Sequence, residues 1–183
     1  MPVTPETLRS DKKIRGMLRS FDFEVQDPDH DAVWFDTAPL QPFEVVAAKG
    51  SGCVYALTGV RRHVLFVSSE GQAGIIAEDL GQCLELVIAY PYWMDVLRRS
   101  EGDREVLRRV FRDDLDDLEE GALDDNPEID EFRPLLRKQL GLGKAREPAQ
   151  RLYHAITVLG AGVIVRAPDG HPCEPLAGAF KPR

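Results

Sequence analysis

The chain has 183 residues, a formal net charge of −8 and three cysteines. That length buries roughly two thirds of the unfolded surface without disulfide staples. Cys53, Cys83 and Cys173 are widely separated, odd in number and free of any CxxC pair, so reduced thiols in a cytoplasmic protein are expected. The acidic balance argues against a binder of nucleic-acid backbones, which present clustered Lys and Arg. The longest apolar stretch, near Leu84 to Met94, carries Glu85 and Pro91 and falls short of a bilayer span, and MPVTPETLRSDKK has no apolar core behind its charges. Neither export nor a membrane helix is expected.

In chain order, Thr4-Pro5-Glu6 starts a helix with Pro in the first turn, and Ile14, Met17, Leu18 and Phe21 fall on one face. DPDHDAVWFDTAPLQP reads as loop, with a short extended piece at Val33 to Phe35. From Phe43 to Glu78 four β-prone runs follow each other closely. The first two surround Lys49-Gly50-Ser51-Gly52, whose glycines supply the positive φ a hairpin needs. Strands this close in sequence are antiparallel neighbours, because a parallel crossover needs a dozen residues or more.

After Asp79, a capping residue, the period changes to that of a helix through Leu80, Cys83, Leu84, Val87 and Ile88, which Pro91 kinks or ends. YPYWM then carries more apolar surface than one amphipathic stripe requires. A second helix is predicted from about Asp103, with Leu107, Val110, Phe111, Leu115 and Leu118 on one face. A third has Ile129, Phe132, Leu135, Leu136 and Leu140, with Pro134 in its first turns, and a fourth runs from Pro148 to Leu159 and stops at Gly160. VIVRAP adds a last strand, and the Pro- and Gly-rich tail from Asp169 is expected to be loose. The whole is an α+β fold: one domain over residues 1–183, with an antiparallel meander packed on helices and a helical extension over 103–160.

Several motifs dissolve on inspection. VLGAGVIV lacks the third glycine of a dinucleotide fingerprint, and GLGKA lacks the hydroxyl and the preceding strand of a phosphate loop. His30, His63, His154 and His171 have no metal-ligand spacing, and His171 with Cys173 is a two-ligand fragment at best. Ser68 and Ser69 lack the GxSxG elbow, and His63 lies six residues from Ser69, roughly 20 Å along a strand. VLFVSSEGQAGIIAEDL therefore reads as two strands around a turn centred on Glu70-Gly71. No catalytic residue, cofactor or metal is assigned.

The charge is local. Asp113 to Glu131, DDLDDLEEGALDDNPEIDE, holds eleven of the 31 acidic residues and no basic one, which leaves 20 acidic against 23 basic residues elsewhere. It lacks the glycine and twelfth-position Glu of a calcium loop. A solvated helix end and linker, docking of a basic partner and weak cation attraction all fit such a run. The residues assigned to docking are Asp113, Asp114, Asp116, Asp117, Glu119, Glu120, Asp124 and Asp125.

PLQPFEVVAAKGSGCVYALTG followed by HVLFVSSEGQAGIIAEDLGQCLELV resembles the SUKH superfamily, the group of fungal Smi/Knr cell-wall regulators and many bacterial toxin-immunity proteins, over residues 39–98. The shared features are the Gly-Ser-Gly turn, the short strand before Ser68-Ser69-Glu70-Gly71, a further strand and the helix led by Asp79-Leu80. The resemblance implies a binding module that neutralises a toxin by masking its surface, with no catalytic residues to carry over. The expected partner is then a protein, such as a basic nuclease toxin, with no direct nucleic-acid or membrane contact. Two other functions stay open: a hydrolase assembled from distant residues such as His154 and an acidic side chain, and a regulatory domain that uses YPYWM as an apolar surface.

Overall fold

Helix starts in this chain are set by short polar side chains that cap the first backbone amides. In the computed structural model, which describes residues 2–28, 33–38, 42–176 and 180, Thr4 Oγ1 accepts from the Thr7 amide at 3.2 Å to start α1 (Pro5–Ser10). The single N-terminal helix expected from Thr4-Pro5 is two. Asp11 interrupts it, because its carboxylate takes the amides of Lys13 (2.8 Å) and Ile14 (3.1 Å) and caps α2 (Lys12–Arg19). Ile14, Met17, Leu18 and Phe21 are all buried as their spacing requires.

The meander forms as expected. β1 (Glu24–Val25) precedes β2 (Asp36–Ala38), β3 (Phe43–Ala48), β4 (Val54–Thr58), β5 (His63–Val67) and β6 (Gln72–Ala77). β3 to β6 pair antiparallel in sequence order, and β1 pairs antiparallel on the outer edge of β3. The β3–β4 turn closes through Lys49 N to Cys53 O at 2.8 Å, with Gly52 at φ 94°. At the β5–β6 turn, Ser68 N donates to Gln72 O (2.8 Å) and Ser68 Oγ accepts from Gln72 N (3.0 Å), with Gly71 at φ 83°. Ser68 is a turn residue.

α3 (Leu80–Ala89) is capped by Asp79, whose Oδ1 accepts from Gln82 N at 2.8 Å, and it ends before Pro91. α4 (Trp93–Arg99) and α5 (Arg104–Asp113) follow. The helix expected from Asp103 through Leu118 breaks at Asp114, and the remainder becomes α6 (Asp116–Asp125). Four aspartates between positions 113 and 117 would sit at repelling i,i+3 and i,i+4 spacings on a continuous helix. α7 (Glu128–Leu140) runs through Pro134 and closes on Gly141 at φ 63°. α8 (Pro148–His154) continues as a π-helical turn over Ala155–Leu159, closed by Gly160 N on Ala155 O at 2.8 Å.

Two further expectations need correction. The extended segment near Trp34 is Asp36–Ala38, not Val33–Phe35, and it pairs with β7 (Ile164–Arg166) in a separate ribbon. The residues after Asp169 are not loose where they are described. β8 (Glu174–Pro175) adds parallel to β6, Glu174 N donates to Gly71 O at 2.7 Å, and Leu176 and Phe180 are buried. Gly74 permits this close approach, since a Cβ there would lie 3.0 Å from that of Leu176. His30, Pro39, Leu40 and Gln41 lie outside the described residues.

Both faces of the sheet are covered, which explains why all five residues of β4 are buried. Tyr55, Leu57, Val64, Phe66 and Ile76 point to a core shared with Leu18, Leu84, Trp93, Leu107, Leu136 and Leu152. Val54, Ala56, Leu65, Val67 and Ile75 point to a second cluster under Phe35, Ala155, Val165 and Cys173. The extension over 103–160 thus packs into the same core as the meander. YPYWM is no surface patch: Trp93 is 1% exposed, its ring edge-on to Phe66 at 4.9 Å, and Tyr92 is 8% exposed. The three cysteines are free and buried, and burial, with the charge of Asp79, pushes the Cys83 thiol up. Among the described residues no helix is long and apolar enough to cross a membrane.

Pro134 is exposed in mid-helix and cannot donate to the carbonyl four residues back. An interior Pro is about 3 kcal/mol worse than Ala, partly offset by the stiffer unfolded chain. Pro134→Ala is therefore expected to raise stability by about 1–2 kcal/mol, read from the urea midpoint at unchanged m-value.

Candidate functional site

α6 buries no residue. Leu115, Leu118, Ala122 and Leu123 touch the core in part, and polar tethers do the rest. Glu119 Oε1 accepts from Arg133 Nη1 at 2.6 Å, and Oε2 accepts from Arg133 Nη2 at 3.2 Å and from the Tyr92 hydroxyl at 2.7 Å. Arg133 Nε completes the node by donating to Ile88 O at 2.9 Å. A planar guanidinium can hold a carboxylate through two bonds and a carbonyl through a third. A second tether is bidentate: Arg99 Nη1 meets Asp117 Oδ1 at 2.9 Å, and Nη2 meets Oδ2.

Burial raises the Glu119 carboxyl, but the hydrogen bonds from Arg133 and Tyr92 and the charge of Arg133 outweigh it, so its pKa sits below the ordinary value. Asp117 is lowered by the hydrogen bond from Arg99, and Asp113 by that from Arg112. All three stay ionised at neutral pH.

The eight carboxylates assigned to docking therefore divide. Glu119 is a structural anchor, Asp117 bridges to α4, and Asp113 pairs with Arg112 at 2.7 Å. Asp114, Asp116, Glu120, Asp124 and Asp125 are exposed and form no ion pair among the described residues. They make an acidic ridge that the run of charges alone could not separate from the anchors.

Beside this ridge lies an open cleft of about 700 Å³. One wall is an α6 stripe from Asp117 to Asp125, and the other is made by the two meander turns, at Lys49 to Cys53 and Ser68 to Glu70, with the end of α2. Ion pairs brace the rim: Lys49 with Asp22 at 3.0 Å, and Arg98 with Glu70 at 3.2 Å. Sequence reasoning assigned Asp117 and Asp125 to docking but missed the rest of the lining, because it comes from separate elements far apart in the chain.

The cleft lining holds Ser68, Ser69 and Cys53, and among the described residues no histidine. Cys53 Sγ is 3.8 Å from Ser69 Oγ. His63 sits at the far end of β5, its Nδ1 2.8 Å from Glu78 O. His154 is exposed on α8, outside the cleft lining. His171 pairs with Asp169 at 3.2 Å, and among the described residues no three His, Cys, Asp or Glu side chains group to hold a metal ion.

No family model, curated protein or solved structure matches this chain.

Removing the anchor should loosen α6. Arg133 is 15% exposed in its side chain, and losing a charged hydrogen-bond partner costs about 1.5–3 kcal/mol, so Glu119→Ala is expected to destabilise by about 2 kcal/mol. Because the folded pKa of Glu119 is depressed, its contribution is complete above the unfolded value of about 4.3 and is lost as pH falls through the lower folded value. Thermal melts of wild type and Glu119→Gln should therefore differ most at neutral pH and converge in acid.

Proposed function

We propose that this protein is a binding module of the immunity type, which occludes a basic protein partner through the acidic ridge of α6. One observation carries this reading: Asp124 and Asp125 occupy the last turn of α6, exposed and without an ion pair among the described residues, and that turn has no basic residue. Carboxylates at a helix C-terminus oppose the helix dipole at about 0.3–1 kcal/mol each. With Glu120 they form a set of exposed carboxylates that make no ion pair among the described residues, and the two at the helix end cost stability. A cationic surface on a partner would relieve that cost.

The mechanism is steric and electrostatic. Long-range attraction raises the encounter rate, and the tethers from Arg133 and Arg99 keep the ridge fixed as the partner docks, so little ordering entropy is lost on binding. The resemblance of residues 39–98 to the SUKH superfamily supports a masking role, and a nuclease toxin has the basic surface such a ridge would match.

The test uses the full chain as bait in its host, followed by association kinetics with the captured basic protein. Asp114, Asp116, Glu120 and Asp124 changed together to Asn should slow association at low ionic strength, within the roughly ten- to thousand-fold range of electrostatic steering, and flatten its salt dependence. Stability should hold or rise by a few tenths of a kcal/mol, as like-charge pairs are removed. Unchanged association at every salt concentration would remove the ridge from the interface.

A further inference from the structure

The side of α6 that faces the cleft adjoins the ridge and shares Asp125 with it, while Asp116, Glu120 and Asp124 lie outside the cleft lining. It presents Asp117, Leu118, Gly121, Ala122 and Asp125, spaced as one face of a helix. Gly121 lies at its middle, and a Cβ there would meet nothing within 4 Å. The lining carries three cations, Arg19, Lys49 and Arg98, against five carboxylates, Asp22, Glu70, Asp95, Asp117 and Asp125. Each cation already holds a carboxylate: Arg19 holds Glu24, Lys49 holds Asp22, and Arg98 holds Glu70 and Asp95. Of the lining carboxylates, Asp125 forms no ion pair among the described residues. Met94, Leu118 and Ala122 are the partly exposed apolar residues of the same cleft, with Phe66, Tyr92 and Ile129 buried behind them.

A concave site with low-dielectric walls concentrates the potential of its surplus charge. The lining therefore favours an occupant that is cationic at its tip and apolar along its stem. Lysine and arginine side chains have that form. We infer that the cleft between α6 and the two meander turns seats a lysine- or arginine-bearing loop of the protein partner, with its cation at Asp125 and its stem along Leu118 and Ala122. This rests on the docking reading above and adds where the partner inserts. The ridge governs the rate of encounter, whereas the cleft governs how long the complex lasts.

The two can be separated experimentally. The full-length chain, labelled with nitrogen-15, is titrated with acetyl-Leu-Arg-Leu-amide and with acetyl-Leu-Glu-Leu-amide. The arginine peptide is expected to shift the amides of Ser69, Gly121 and Asp125, and the glutamate peptide to leave them in place. Gly121→Trp should abolish the response, because its side chain enters open space and fills the cleft. Asp125→Lys should weaken the response while raising the melting temperature, since it puts a favourable charge at the end of α6; a purely structural Asp125 would not give that opposite pair of effects. Equal responses to both peptides, shifts confined to Glu120 and Asp124, or a response that survives both Gly121→Trp and Asp125→Lys each overturn the assignment. Absence of a peptide response in the unaltered chain, with salt-dependent association intact, rejects the cleft and leaves the ridge. A seated peptide with flat association kinetics does the reverse.

Discussion

A helix that buries no side chain stays in place only through its edges, and α6 is held at its edges by the node of Arg133, Glu119 and Tyr92. The node draws its strength from partial burial. Arg133 is largely covered and also bonded to the Ile88 carbonyl, so its charge cannot return to water without movement of α7 against α3. An uncompensated charge in that position costs far more than a surface ion pair contributes. The acidic helix is therefore fixed by the one carboxylate in its run that points inward. Asp117 adds an exposed second contact to α4, which salt weakens far more readily than the node. The ridge and the cleft wall inherit their positions from this arrangement.

A similar device orders the β1–β3 edge of the meander. Arg9, with its side chain 11% exposed, donates to Gln26 O at 2.8 Å, Glu44 Oε1 at 2.6 Å and Val45 O at 3.0 Å, while Arg62 takes the other Glu44 oxygen at 2.6 Å. The register of β3 against β4 shifts between Val45 and Ala47, and a bulge leaves backbone groups without a ladder partner. Arg9 satisfies the Val45 carbonyl beside it. Burial raises the Glu44 carboxyl, but the hydrogen bonds from Arg62 and Arg9 lower it further, so the site stays charged. In both places a guanidinium joins a carboxylate and a backbone carbonyl from elements far apart in sequence.

That distance explains what was legible in the chain and what was not. The caps at Thr4 and Asp79, the turns at Gly52 and Gly71, the stop at Gly160 and the buried stripe through Cys83 depend on residues within a few positions of each other, and sequence pattern reports such neighbours well. The pairing of β2 with β7 joins residues about 130 positions apart, and β8 joins β6 in parallel across about 100, so neither leaves a local trace. Asp11 was readable as a cap but lay inside a longer amphipathic pattern that masked it. YPYWM showed its apolar excess correctly, yet composition cannot say whether such a segment faces solvent or, as with Trp93, the core. The acidic run is the sharpest case: Glu119 looks like its neighbours, and only Tyr92, 27 residues before it, and Arg133, 14 after it, set it apart.

One segment consequently carries two opposed roles, and helix geometry keeps them separate. At 3.6 residues per turn, Leu115, Leu118 and Ala122 reach the core and Glu119 reaches the node, while Asp116, Glu120 and Asp124 lie on the outer side at i,i+4 intervals. Repulsion along that outer row would favour unwinding the helix. The opposing contributions come from a contact that is half-covered and hence little screened, whereas the repulsion runs through solvent and is screened within a Debye length of about 8 Å at physiological salt. The fold can thus carry an exposed acidic surface at modest cost because attraction and repulsion act through different dielectrics. The small residues Gly121 and Ala122 on the inner flank then leave the cleft open beside that surface, so exposed charge and open space lie side by side on one short helix.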